Sequence, residues 1–341
     1  MSMEPMLYSY NDNSVLQATC QQIGNPMLEK MAAAYADQNS RDPKNVRIAE
    51  YGCSGGRNSY APMETIIAAL RNRTPDLHAE CILEDLPSNP WSQVMEEYPR
   101  LTANFNGNVQ VLCAGNSFYN QICADESLDL AYSYVAAHFL SDSKPLTSHV
   151  LMHEANAAER VEWETHAAKD WENFLLLRAR ELKKGGKIMI STMSRDDNGY
   201  SWKEFSHVFW NCAQRAGSLS KRELEALCIP ACLRSEAELL APLRPQSAAG
   251  DLFKVDSLEF LYSQVDGERD LDISVLAPLL RRRVEAVWGG MFLTQLAESQ
   301  NGRKPEAVMK DVWDSFEDEL SRDVTRGWLY MQCFYLQLTR K

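Results

Sequence analysis

No run of about 18 or more apolar residues occurs in the chain, which excludes a membrane-spanning helix. The first residues, Met1 to Asn13, are polar and lack the apolar centre of a secretory signal. Basic residues are in the minority: 35 Lys and Arg against 47 Asp and Glu give a formal net charge of −12 over 341 residues. That balance argues against a nucleic-acid partner. The two dense basic runs read as local features: Lys183-Lys184-Gly185-Gly186-Lys187 as a helix C-terminus with a glycine stop, Arg281-Arg282-Arg283 as one solvated helix turn. Internal repeats and low-complexity tracts are absent. Ordered cysteine pairs are absent too. The nine cysteines are scattered and mostly embedded in apolar runs, as Cys81 and Cys113 are, so they read as reduced core thiols of a cytoplasmic protein. Cys228-x-x-x-Cys232 and His149-x-x-x-His153 have no second pair at zinc-site spacing, and no metal is expected.

The most informative segment is Asn45-Val46-Arg47-Ile48-Ala49-Glu50-Tyr51-Gly52-Cys53-Ser54-Gly55-Gly56-Arg57-Asn58-Ser59, an apolar run ending in an acid, then a small-residue turn into a helix. In an open α/β sheet such a turn lets backbone approach a ligand at the strand ends. The glycine spacing is not that of a dinucleotide fingerprint, and a carboxylate at Glu50 would repel a phosphate. It suits a ligand with a cation and hydroxyls, and S-adenosylmethionine has both. A second apolar run, Ala79 to Leu83, ends in Glu84-Asp85-Leu86-Pro87, where a Rossmann-like sheet presents a carboxylate to ribose hydroxyls. Asp85 would otherwise serve as a helix N-cap or turn residue before Pro87.

Strand patterns at Val46 to Tyr51, Ala79 to Leu83, Val109 to Leu112, Leu128 to Tyr134 and Lys187 to Thr192 alternate with helical periodicity, which predicts an α/β fold with a mostly parallel, doubly wound sheet. The strongest helix runs from Ala157 to Lys184, with Trp163, Ala167, Trp171, Phe174, Leu175, the Arg178 stem and Leu182 on one face. The last third is mainly helical, over Trp202 to Ala216, Lys221 to Leu227, Ser235 to Leu240, Ile273 to Ser299 and Pro305 to Leu320. Late strands are expected at Leu252 to Tyr262 and Trp328 to Leu338. The predicted organisation is a cofactor domain from 1–200, 250–265 and 325–341, roofed by a helical cap from 201–249 and 266–324. The cluster Trp202, Phe205, Phe209 and Trp210 has helical spacing and reads as cap core.

From near Tyr10 to the C-terminus the chain resembles the SABATH family of S-adenosylmethionine-dependent carboxyl methyltransferases. Ser9 to Gln17 is similar to the family's Y-x-x-N-S-x-x-Q segment, Glu50 to Asn58 to D-L-G-C-S-S-G-P-N, and Glu84 to Asn89 to N-D-L-P-x-N. Asn116-Ser117-Phe118-Tyr119 resembles G-S-F-Y, Ala137-His138-Phe139-Leu140-Ser141 resembles L-H-W-L-S, Asp170 to Gly186 resembles D-F-x-x-F-L-x-x-R-A-x-E-L-x-x-G-G, and Ile229 to Glu238 follows P-x-Y-x-P-S-x-x-E. The resemblance implies a Rossmann-like class I methyltransferase sheet with a helical cap, a homodimer, and transfer of a methyl group to the carboxylate of a small acid. It places Tyr10, Ser14, Glu50, Gly52, Asn58, Asp85, Leu86, Ser117, Phe118, Ser133 and Tyr134 on cofactor positions, with Asp85 at the ribose and Ser117-Phe118 at the adenine. Gln17 falls on the residue that hydrogen-bonds the substrate carboxylate.

The departures cluster on the acceptor side. Glu50 replaces the usual Asp. Phe139 stands where the family has a Trp that donates to the substrate carboxylate, and a phenyl ring cannot donate. His138 is the nearest residue able to do so, and a clamp of Gln17 and His138 is expected, with Phe139 and Cys232 also facing the substrate. Val135 replaces a Tyr and Cys232 an aromatic residue, which reshapes the pocket. Alternatives are methylation of a ring nitrogen, for which Gln17 would be unnecessary, a non-catalytic protein that keeps the cofactor fold, and, disfavoured by the glycine spacing, an oxidoreductase on the same sheet.

Overall fold

The computed structural model describes residues 6–7, 9–38, 45–299, 303–322 and 330–341. Its frame is a seven-stranded sheet of β1 (Asn45–Tyr51), β2 (His78–Asp85), β3 (Val109–Gly115), β4 (Leu128–Tyr134), β5 (Leu182–Met193), β6 (Phe253–Gln264) and β7 (Tyr330–Arg340) in the order β3-β2-β1-β4-β5-β7-β6. The first five strands are parallel; β7 joins β5 antiparallel and β6 joins β7 antiparallel. The helices are α1 (Tyr10–Asn13), α2 (Val15–Gln38), α3 (Tyr60–Arg71), α4 (Trp91–Glu97), α5 (Pro99–Asn104), α6 (Ala157–Glu181), α7 (Lys203–Arg215), α8 (Lys221–Ala226), α9 (Glu236–Leu240), α10 (Ala248–Leu252), α11 (Ile273–Glu298) and α12 (Pro305–Arg322).

The pleat of β1 shows why the sheet is buried on both faces. Val46 and Ile48 pack with residues of α2 and α3, whereas Ala49 and Tyr51 pack with Trp171 and Phe174 of α6. β4 is buried along its length and includes an acid, Asp129. Its carboxylate accepts from the Tyr35 hydroxyl at 2.5 Å, Arg47 N at 2.8 Å and Lys183 Nζ at 2.7 Å, which supplies partners for a charge removed from water. The strand order reverses between β1 and β4, so a crevice opens at their carboxyl ends.

Two local expectations are corrected. α6 ends at Glu181, with Leu182 already extended, so the basic run 183–187 belongs to β5 rather than to a helix end. Arg281 to Arg283 is not a solvated turn: Arg283 is buried and paired with Glu268, and Arg281 faces Glu285, Asp314 and Glu317. The cap is built where α7, α11 and α12 meet. Phe209 stacks on Phe292 at 4.9 Å and lies 5.1 Å from Trp313, which makes it cap core. β6 and β7 then return the chain to the sheet edge; residues 328 and 329, expected to open the last strand, lie outside the described residues. Among the described residues no helix is long and apolar enough to cross a membrane.

Candidate active site

β1 ends at Tyr51, and Gly52 turns with φ +84°, a region costly for residues with a Cβ. A Cβ there would lie 2.4 Å from the Ala136 Cβ in the turn after β4. The two strand-end turns thus approach too closely for any other residue. Gly52→Ala is expected to cost about 2–4 kcal/mol through backbone strain and overpacking, read as a lower midpoint in thermal unfolding. A stability within 0.5 kcal/mol of the parent, roughly the scatter for surface changes, would show that the turns yield.

These turns border a cavity of about 450 Å³ lined by Tyr10, Gly52, Ser54, Glu84, Asp85, Leu86, Ser117, Phe118, Tyr134, Val135 and Phe139, with others. Asp85, the last residue of β2, accepts from Ser54 N at 2.6 Å through one oxygen and from Leu86 N at 2.8 Å through the other. Each carboxylate oxygen keeps acceptor capacity, enough for two hydroxyl donors. Burial pushes the Asp85 carboxyl up to about 6, against the two backbone donors. Beside it, Glu84 Oε2 accepts from Gly52 N at 3.1 Å while buried Oε1 has no protein partner. Burial first, and then Asp85, raise the Glu84 carboxyl well above the ordinary range. On the opposite side, Phe118 stands edge-on to Phe174, with ring centres 5.6 Å apart, and the Asn116 side chain accepts from Ser117 N at 2.8 Å. Arg178 holds that loop from below, donating to Phe118 O at 2.8 Å and Asn120 O at 3.1 Å.

Four residues assigned to the cofactor by sequence do not wall this cavity. Glu50 precedes the last residue of β1, so the pleat turns its side chain into a sheet face, where Tyr132 donates to it at 3.0 Å. Burial pushes its carboxyl up to about 8 despite that bond. Ser133 is fully buried and donates to Tyr51 O at 2.9 Å. Asn58 donates to the Ser14 hydroxyl at 2.9 Å, and the two tie the start of α2 to the glycine turn rather than wall the cavity. Val135 does line it, with φ +52°, an unusual conformation for a β-branched residue and one that marks a constrained site.

A second, smaller cavity of about 80 Å³ lies between the start of α2 and the cap. Gln17 lines it together with Trp202, Phe205, Arg283, Val287 and Trp288, among others. His138 lines neither cavity. It is buried, both ring nitrogens lack a protein partner, and its ring packs 4.3 Å from Phe139 and 5.4 Å, edge-on, from Trp202. Burial, and then the Arg234 guanidinium, push its pKa down to about 3, so the imidazole is neutral. Phe139 faces the larger cavity, not the smaller. Cys232 is in neither; it packs with Leu140, Met152 and Trp163, and its backbone N donates to His138 O at 2.8 Å. Sequence reasoning gave no site role to Glu84, Arg283 and Trp288. Glu84 stood in a quoted motif, but the two cap residues lie far along the chain with no local signal. Among the described residues no cluster of three or more His, Cys, Asp or Glu is placed for a metal ion.

The family described as SAM dependent carboxyl methyltransferase matches residues 6–341. The chain belongs to this family. Curated relatives include the jasmonate O-methyltransferase of Arabidopsis thaliana, 24% identical over 305 residues that cover 76% of this chain and 75% of the relative. The indole-3-acetate O-methyltransferase 1 of Oryza sativa subsp. japonica is 26% identical over 337 residues, 86% of this chain and 82% of the relative. A solved loganic acid methyltransferase with S-adenosylhomocysteine superposes with a TM-score of 0.79 at 17% identity, covering all of this chain and 98% of the other, and shares the fold. This carboxyl methyltransferase uses S-adenosylmethionine. The larger cavity fits it: a carboxyl with spare acceptor capacity at Asp85 and an aromatic wall at Phe118 match a ligand with hydroxyls and a purine.

Proposed function

We propose that this methyltransferase esterifies a small organic acid, with Asp85 at the cofactor ribose, Ser117 and Phe118 at the adenine, and Gln17 and His138 at the acceptor carboxylate. The observation that carries this reading is the start of α2. Ser14 is bonded to Asn58 of the glycine turn, and Gln17, three residues on, walls the second cavity. One helix start therefore sets the acceptor site against the cofactor turn.

When bound, S-adenosylmethionine supplies an electrophilic methyl group with a neutral leaving group, suited to in-line displacement. A carboxylic acid is ionised at neutral pH, so no general base is required. The protein's work is orientation, which contributes about 7 kcal/mol or more in well-aligned reactions. The Gln17 amide donates to one carboxylate oxygen and leaves the other free. A neutral His138 supplies a second N–H without the cation that would weaken the nucleophile. Trp202 lines the Gln17 cavity and packs edge-on to the imidazole, so on this reading the rings shift for both donors to meet one carboxylate.

The test is transfer from methyl-labelled S-adenosylmethionine to aromatic, aliphatic and dicarboxylic acids, scored as base-labile label. Gln17→Ala is expected to lower kcat/KM by about 10–100-fold, the value of a hydrogen bond to a charged group, and His138→Phe by about tenfold. Label stable to base would move the reading to a nitrogen acceptor. The wider proposal is a cytoplasmic homodimer, supported by nine free cysteines and by the family resemblance, with 201–249 and 266–324 as the acceptor-binding cap. Sedimentation equilibrium tests the assembly.

A further inference from the structure

Gly24 lies inside α2, where a glycine weakens a helix. What it permits is close approach. A Cβ at this position would lie 2.5 Å from the Tyr134 hydroxyl, 2.7 Å from Tyr134 Cε1 and 2.9 Å from Tyr335 Cε1. Neither ring has room to retreat, since Tyr134 and Tyr335 are 5% and 1% exposed and Tyr134 also donates to Asn25 Oδ1 at 3.2 Å. Two residues on, Pro26 lacks the N–H that would bond Gln22 O, and its ring crowds that carbonyl. The part of α2 before Pro26 is therefore an arm, placed by what it touches more than by the rest of the helix.

The arm carries Gln17 and is pinned on either side of it. Three residues before Gln17, the Ser14 hydroxyl accepts from Asn58 of the glycine turn at 2.9 Å. Three residues after it, Cys20 O accepts from the Tyr335 hydroxyl at 2.8 Å, and the Cys20 thiol lies 2.9 Å from the Ser263 hydroxyl. One turn further, Gly24 meets Tyr134, a wall residue of the larger cavity. Gln17, Cys20 and Gly24 share one helix face. Tyr134 is the last residue of β4 and Tyr335 belongs to β7, so the sheet itself sets where that face lies.

Resting on the reading that Gln17 aims the acceptor carboxylate, we propose that Gly24 and Tyr335 are positioning residues for methyl transfer. The notch at Gly24 seats the arm on the Tyr134 and Tyr335 rings, and Tyr335 holds the turn next to Gln17. A misplacement of about 1 Å in a reacting group can cost on the order of a hundredfold in rate. A Cβ at Gly24 would force a shift of about that size to relieve the contact with Tyr134.

The test measures kcat and KM for the acceptor in Gly24→Ala and Tyr335→Phe at saturating S-adenosylmethionine. Binding sites for S-adenosylhomocysteine are counted by calorimetry, and crystal structures of both variants with it bound locate Gln17. Helix propensity alone would have Gly24→Ala strengthen α2 and leave turnover unchanged. The expected result is a kcat per site lower by about 10–100-fold in Gly24→Ala, with Gln17 displaced by about 1 Å. Tyr335→Phe, which keeps the ring and loses one hydrogen bond, is expected to lower it about threefold or more. Affinity for S-adenosylhomocysteine and acceptor KM should stay within about threefold, because orientation rather than binding is lost. A purely structural role would reduce the number of binding sites and leave kcat per site intact. Wild-type kcat per site in either variant, a loss confined to KM, or a fall in kcat with Gln17 unmoved overturns the proposal. If Gly24→Ala does not fold, Tyr335→Phe decides by the same criteria. Base-stable label overturns carboxyl methylation and leaves the comparison to be made with that acceptor. With no turnover of any acceptor, carboxyl methylation falls and the crystal structures decide alone: a displaced Gln17 supports the seating of the arm, and an unmoved one overturns it.

Discussion

Glu181→Ala is expected to destabilise the protein by about 3–5 kcal/mol, the range for breaking a buried ion pair on one side. Glu181 is fully buried. It accepts from Arg178 Nε at 2.8 Å and Nη2 at 3.0 Å, the Tyr51 hydroxyl at 2.6 Å, Ile122 N at 2.5 Å and Cys123 N at 3.1 Å. Alanine would leave a guanidinium in the core with no countercharge and two backbone N–H groups unpaired. The Arg178 guanidinium, 4.0 Å from the Tyr51 ring centre, also holds Phe118 O and Asn120 O, so the loop at the cofactor cavity would loosen with it. Denaturant unfolding measures the first effect and calorimetric titration with S-adenosylmethionine the second. Replacing both partners, Glu181→Leu with Arg178→Met, should recover the part of the loss that comes from the uncompensated charge, but not the part from Ile122 N, Cys123 N and the Tyr51 hydroxyl, nor cofactor affinity, because the loop anchor stays absent. A loss below about 1 kcal/mol in the single variant would place the pair with weak surface bridges and sink the argument.

The parallel strands, the helices between them and the glycine turn were legible because their signals are local: apolar runs at strand length and a small-residue turn after an acid. The end of α6 was not. Gly185-Gly186 reads as a helix stop, yet Gly186 lies in β5, where glycine is needed because a Cβ would meet backbone oxygens of Lys183, Asp129 and Leu128 at 2.8–3.2 Å. Lys183 is likewise turned from an expected helix terminus to the ion partner of Asp129, 54 residues away. Glu50 and Asp85 look alike in sequence as acids near strand ends. One stands a residue before its strand ends and is directed into a sheet face, and the other is the final strand residue and reaches the cavity. The register pairs Glu50 with Leu83, two residues short of Asp85, so both acids share one sheet face and only Asp85 lies far enough along to reach the rim. Arg283 reads as solvated because its partner, Glu268, precedes it in a separate turn, and only the packed cap brings the two together.

Asp85→Ala is expected to weaken S-adenosylmethionine binding by about 100-fold or more, since the carboxylate would lose two charge-assisted hydrogen bonds to ribose hydroxyls, each worth roughly 1.5–3 kcal/mol. Stability should change much less. The pH dependence separates this role from a structural one. Burial lifts the Asp85 carboxyl from its ordinary 3.8 to about 6, so the cofactor-free protein holds this proton at a pH where the unfolded chain has lost it. That contribution to stability is complete below 3.8 and is lost as pH rises through about 6. With Asp85 at the ribose as proposed, cofactor affinity runs the other way, because ribose hydroxyls would donate to the ionised form and have to displace the proton. The dissociation constant should therefore rise as pH falls through about 6, by up to tenfold per unit, while the enzyme becomes no less stable from this group. Asp85→Asn, which keeps the shape without the titration, should bind weakly with a flat profile over the same range. Calorimetric titrations from pH 5 to 8, about a unit or two either side of that value, would decide it. A wild-type profile as flat as that of Asp85→Asn would remove Asp85 from the ribose and leave it the role its two backbone bonds already give, bracing the turn between β2 and Leu86 against the glycine turn at Ser54.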